Sequence, residues 1–129
     1  MADLHIEEFH KHCVAVLLQL YSVFPRKATV FVEDIIGPEE KDEFGLHSDL
    51  HQSCFGAMIW LADEGYLRFD ATIRQEAVDQ AVLTQHSFAR LAKLVPEHGQ
   101  SVARVLEQTL RNESSTTISR LCEEYLVYD

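Results

Sequence analysis

His47, His51 and Cys54 stand four and three residues apart. On one helix that spacing puts two imidazoles and a thiol on a shared face, and both groups are good zinc ligands. The chain also offers His5 and His12 seven apart, with Glu8 and His10 between them. Each set has an ordinary alternative. His47 precedes the residue expected to cap the helix, Cys54 falls on an apolar stripe, and no fourth ligand follows. The stretch therefore predicts one buried thiol and two polar histidines. His5 and His12 lie opposite Phe9 and Leu17, which predicts a solvated helix side. No metal and no cofactor are expected.

Catalytic constellations are equally sparse. Cys13 is close to His10 and His12, but it belongs to a core stripe, which is no place for a reactive thiolate. Glu7 and Glu8, like Glu123 and Glu124, are sequence neighbours, so their carboxylates point to different sides of a helix. The sequence has no Gly-rich phosphate loop, no serine elbow and no HExxH. A non-enzymatic protein is expected.

Apolar periodicity sets out the elements that would position these groups. Ile6, Phe9, Cys13, Val16, Leu17, Leu20 and Phe24 step by three or four, predicting a helix over about 5–23 that ends before Pro25. ATVFV at 28–32 reads as a short strand, and EDIIGPEE as a short helix broken at Gly37-Pro38. KDEFGLHS reads as a loop. Asp49 as N-cap, with Gln52 three residues on, predicts a helix over 50–64 that stops at Gly65. Residues 67–73 alternate as a strand, RQEA turns, and VDQAVLT returns. SFARLAKLV then resumes helical spacing up to Pro96. Two further helices follow, the second capped by Ser114 or Ser115.

Two segments then carry a resemblance, WLADEGYLRF at 60–69 and AVLTQHSFARL at 81–91. Leu61 to Tyr66 has the form Leu-x-x-x-Gly-Tyr, and Leu83-Thr84 leads from a strand into a helix. In both features the chain resembles the winged helix-turn-helix superfamily over about residues 10–95. The resemblance implies a mainly α fold with a small antiparallel β-hairpin wing. It divides the chain into a winged-helix domain at 1–95 and a C-terminal helical extension at 96–129. It also implies a third helix presenting Gln52, Ser53 and Gly56 to a DNA groove, with Arg68 and Arg74 on the wing. Winged-helix dimers pair through terminal helices, which implies a homodimer built on Leu106, Leu110, Ile118, Leu121 and Tyr125. Packing of those stripes within one chain is the competing expectation.

Charge opposes the DNA reading. Lys and Arg supply most non-specific nucleic-acid affinity by displacing counterions, yet the 129 residues carry a net charge of -10. Between residues 28 and 67, Lys41 is the only base, against Glu33, Asp34, Glu39, Glu40, Asp42, Glu43, Asp49, Asp63 and Glu64. The helix over 50–64 is also apolar on nearly every side, through Phe55, Ile59, Trp60 and Ala62. Such a helix is buried on two faces or held at an interface.

The leading expectation is therefore an acidic regulator that binds a protein partner through Phe55, Ile59, Trp60, Glu39, Glu40 and Asp42. The alternative is a DNA-binding transcriptional regulator using Gln52, Ser53, Arg68 and Arg74. A weaker third reading is a small-ligand sensor with a pocket between the wing domain and the C-terminal helices. With hydrophobic residues at 47% the chain can bury a core. Three widely spaced cysteines without a CxxC predict reduced thiols and a cytoplasmic setting. CVAVLL is too short an apolar run to span a membrane.

Overall fold

The computed structural model describes residues 4–39, 41–112 and 114–127. Its first helix, α1, runs Leu4–Val23, and Cys13, Val14, Val16, Leu17 and Leu20 form its buried stripe. Strand β1 (Ala28–Phe31) leads directly into the short α2 (Val32–Ile36). Gly37 closes α2 with φ of 90°, and its N–H donates to the Glu33 carbonyl at 2.9 Å. An irregular acidic stretch then reaches α3 (Asp49–Asp63).

Both ends of α3 have a local cause. Ser48, not Asp49, is the N-cap, and its hydroxyl accepts the His51 N–H at 3.1 Å. Asp49 is instead the first helical residue, where a carboxylate still favours the positive end of the helix dipole. At the other end Gly65 takes φ of 81°, a conformation glycine adopts without Cβ strain. The Tyr66 N–H donates to the Leu61 carbonyl at 2.8 Å and the Gly65 N–H to that of Ala62 at 3.1 Å. This is a Schellman closure, and it turns the chain into the sheet.

The predicted strand over 67–73 is two pieces, β2 (Leu67–Arg68) and β3 (Ala71–Ile73), both antiparallel to β4 (Ala77–Leu83). Strand β4 is central, with β1 on its other side. Arg74 and Gln75 make the hairpin turn with φ of 50° and 63°. A left-handed pair of this kind matches the twist of the strands it joins. Register between β1 and β4 shifts between Ala28 and Val30, and nearby Gln80 of β4 sits at φ of 55°.

Helix α4 (Gln85–Ala92) is capped by Thr84 and stops earlier than its apolar spacing predicts. Leu94–Val95 is a strand, β5, paired with β6 (Gln100–Ser101) around Pro96–Gly99. Lys93 is already extended, with its carbonyl accepting the Val102 N–H at 2.8 Å. Helices α5 (Val102–Asn112) and α6 (Ser115–Cys122) follow, and a π-helical turn (Glu123–Val127) continues α6.

The C-terminal helices do not stand apart as an extension. Helix α6 packs along α1. His10 Nδ1 meets Ser119 Oγ at 2.6 Å, and the Tyr66 hydroxyl donates to the Leu126 carbonyl at 3.0 Å. One core runs through both sequence segments, from Leu17, Met58 and Val78 to Leu106, Ile118 and Leu126. Two expectations change with it. His10 and His12 are buried rather than solvated, because α5 and α6 cover the side of α1 left open by α3 and the sheet. Leu106 and Ile118 are 0% and 1% exposed inside a single chain, so neither is available to a second copy.

Candidate partner-binding surface

The segment between α2 and α3 is acidic, and it is organised by one of its own acids. Asp42 Oδ1 accepts the N–H groups of Phe44 at 2.9 Å and Leu46 at 2.8 Å. The Asp42 N–H donates to the Leu46 carbonyl at 3.1 Å, and the Gly45 N–H donates back to the Asp42 carbonyl at 3.0 Å. Gly45 supplies the left-handed step, with φ of 76°. Four hydrogen bonds thus close a five-residue knuckle over 42–46. Phe44 is 78% exposed within it and Leu46, at its closing end, 60% exposed. Large apolar side chains held outward on an ordered loop resemble the anchors of protein interfaces.

The base of the loop is tied to α3 and to the hairpin. Ser48 donates its hydroxyl proton to the Glu39 carboxylate. The rings of His47 and His51 stack with centroids 3.7 Å apart and planes within 2°. His51 Nε2 lies 2.9 Å from the Gln75 carbonyl, which can only accept, so this nitrogen carries the proton. Glu76 faces Lys41 Nζ at 3.6 Å and His47 Nε2 at 3.9 Å. His47 is held below the ordinary histidine value, first by desolvation and then by the charges of His51 and Lys41, with Glu76 and Glu39 pulling the other way. A shallow cavity of about 180 Å³ lies here, lined by Phe31, Glu33, Glu39, Lys41, His47, His51 and Glu76.

The residues expected to bind a partner do not form one patch. Phe55 and Ile59 are half-buried and pack against the core. Trp60 is 36% exposed, edge-on to Phe9 at 4.9 Å and stacked on Tyr66 at 5.8 Å. The buried side of α3 packs against α1 and α2, and Phe55, Ile59 and Ala62 flank it, partly buried against the core. Trp60 lies about 16 Å along the helix axis from Asp49, so it is remote from Glu39 and Asp42. Glu39 and Asp42 are exposed, and their carboxylates are engaged with Ser48 and the knuckle. Glu40 lies outside the described residues.

Phe44 and Leu46 are the residues that periodicity could not single out, since a loop has none. The available signal was Asp42 two residues before Phe44, with Gly45 next: a local side-chain-to-backbone turn that points its apolar residues away.

The solvent face of α3 carries Asp49, Gln52, Ser53, Gly56, Trp60 and Asp63, with no Lys or Arg in the helix. Gln52 donates its amide to the His47 carbonyl at 3.0 Å, so it is turned toward its own backbone. Arg68 and Arg74 are exposed at opposite ends of the hairpin. Cys54 faces the core, where burial pushes its thiol to about 12. Among the described residues no group of three or more His, Cys, Asp or Glu is placed to hold a metal ion, and no helix is long and apolar enough to cross a membrane. Comparison with protein families, curated proteins and solved structures returns no match.

Proposed function

We propose that this chain is a non-enzymatic protein on the winged-helix plan that works by binding a protein partner through the knuckle over 42–46. The partner offers an apolar pocket for Phe44 and Leu46, rimmed by Lys or Arg that meet Glu33, Glu39 and Glu43. The observation that carries this reading is Phe44, 78% exposed on a loop whose shape its own hydrogen bonds maintain. An anchor already in its bound shape loses little conformational entropy on association.

The order α1, β1, α2, α3 and hairpin, with β4 central between β1 and β2, supports the winged-helix plan. The acidic solvent face of α3 argues against DNA as the ligand, because phosphates would meet Asp49 and Asp63 where cations are needed. Three buried thiols, free of disulfides, suit a reducing cytoplasmic setting.

The test compares partner capture by the wild type and by Phe44→Ser/Leu46→Ser, with binding to random duplex DNA measured in parallel at low and moderate salt. A specific partner retained by the wild type, and lost by the double variant at unchanged circular dichroism, supports the proposal. Salt-sensitive DNA binding that disappears in Arg68→Ala/Arg74→Ala overturns it in favour of the regulator reading.

A further inference from the structure

A second surface lies away from the knuckle, where the β5–β6 hairpin and the end of α4 face α5 and α6. It forms a groove of about 590 Å³. Its floor is apolar: Val95, Val102 and Val105 are buried. Leu121 and Tyr125, half-buried, form one wall. Leu94 stands at the mouth, 60% exposed on β5. These three are large apolar groups that the chain itself leaves partly open to water, and such exposure asks for an occupant.

The rim identifies that occupant. Lys93 and Glu97 stand on the hairpin side, Arg120 and Glu124 on the helix side. All four are exposed, and none makes an ion pair among the described residues. Arg90, also on the rim, is engaged by His86 Nε2 at 3.0 Å. A partner of one sign would satisfy half of this rim and be repelled by the other half. A symmetric dimer places the same patch on both sides, so each residue i meets some j while j meets i. A patch with both signs around an apolar centre is complementary to its own copy.

We propose that two copies of this chain pair symmetrically through this groove, with Leu94 of each against Leu121 and Tyr125 of the other. In that pairing Lys93 and Arg120 of one copy face Glu97 and Glu124 of its mate. The dimer surface therefore keeps Leu121 and Tyr125 from the residues expected on sequence grounds. It omits Leu106 and Ile118, which are core, and Leu110, which borders a separate groove with Glu8 and Lys11.

Two charge-reversed proteins test this: Lys93→Glu/Arg120→Glu, which makes these four positions all acidic, and Glu97→Lys/Glu124→Lys, which makes them all basic. Circular dichroism first establishes that both are folded; if a reversal prevents folding, the single Leu94→Asp variant takes its place and must weaken pairing. Sedimentation equilibrium then measures association. The wild type is expected to dimerise, each variant alone to dissociate with a dissociation constant raised at least about tenfold, and the 1:1 mixture to recover the dimer. A wild type that stays monomeric overturns the proposal. So does a wild-type dimer that survives both reversals, or a mixture that fails to pair. Displaceable binding of octanoate in the groove of a monomeric wild type would assign the site to a small amphiphile and overturn it likewise.

Discussion

Asp42 shows what one side chain does at the surface of this protein. Its carboxylate is too exposed for its charge to stabilise the fold appreciably, yet it sets the positions of two backbone amides. Asp42→Ala is expected to leave the thermal midpoint nearly unchanged while amide exchange at Phe44 and Leu46 accelerates. Partner affinity should fall about tenfold as the anchors lose their fixed shape. Asp42→Asn keeps an accepting oxygen and should restore most of both. Unchanged exchange in the alanine variant would show that Gly45 and the backbone bonds suffice. Gln80 offers a second test at this scale. It is exposed, and its φ of 55° forces a side chain into left-handed backbone beside a register shift. Left-handed backbone costs a non-glycine residue about 1–2 kcal/mol, partly offset in a glycine variant by greater unfolded-state entropy. Gln80→Gly is therefore expected to raise stability by about 0.5–1 kcal/mol, read as a higher urea midpoint at unchanged slope. A lower midpoint would mean the Gln80 side chain makes contacts worth more than the strain.

At the scale of elements, α3 begins at a residue that several arguments compete to choose. Ser48 and Asp49 are both good caps by type. The geometry selects Ser48, whose hydroxyl accepts the His51 N–H while its own proton goes to Glu39. Ser48→Ala removes the cap and should cost about 1 kcal/mol. Asp49→Ala removes only a favourable charge at the helix start, worth about 0.3–1 kcal/mol at low salt and less at high salt. Urea midpoints of the two variants at two salt concentrations separate these effects, because only the second is screened. Equal, salt-sensitive losses would return the capping role to Asp49. The same scale explains the β5–β6 hairpin. Leu91, Leu94 and Val95 continue a helical spacing, but Lys93 turns extended and the Val95–Gln100 pairing takes over. Periodicity over one turn cannot distinguish a helix end from a short buried strand.

For the whole molecule, burial of histidines couples folding to pH. His10 and His12 are both held below the ordinary value of 6.5, first by desolvation; Glu123 opposes this at His10, and at His12 Glu8 opposes it while Lys11 adds to it. His12 Nδ1 is buried without a hydrogen-bond partner among the described residues. A depressed folded-state value means the unfolded chain binds protons more readily. The stability these groups contribute is present above pH 6.5 and is lost as pH falls through their folded-state values. Urea midpoints are expected to drop between about pH 7 and about pH 5. His12→Gln should flatten that slope, because the neutral amide cannot take up the proton. A slope unchanged in this variant would assign the effect to His10 or to the stacked His47, whose value is lowered as well.

Much of this molecule is local, and the local part was readable in the sequence. The stripe of α1, the stop at Gly65, the hairpin over 67–83 and a serine cap at 114 or 115 each follow from interactions within a few residues, which periodicity and capping chemistry report directly; the geometry selects Ser114. The burial of Cys13, Cys54 and Cys122 followed in the same way from their places on apolar stripes. Which faces of those elements meet water was decided only by tertiary packing. His10 and His12 looked solvated on an isolated helix and became core once α6 lay along α1. Leu106 and Ile118 looked like a dimer seam and became the inside of one chain. Phe55 and Ile59 looked like a contact surface and are half-buried against the core, Trp60 stays 36% exposed beside Phe9 and Tyr66, and Phe44 and Leu46 emerged on a loop. The physical reason is common to all of these. A sequence records each residue's affinity for an apolar neighbour, but burial is a property of the pair, and the partner's position is set by the fold as a whole.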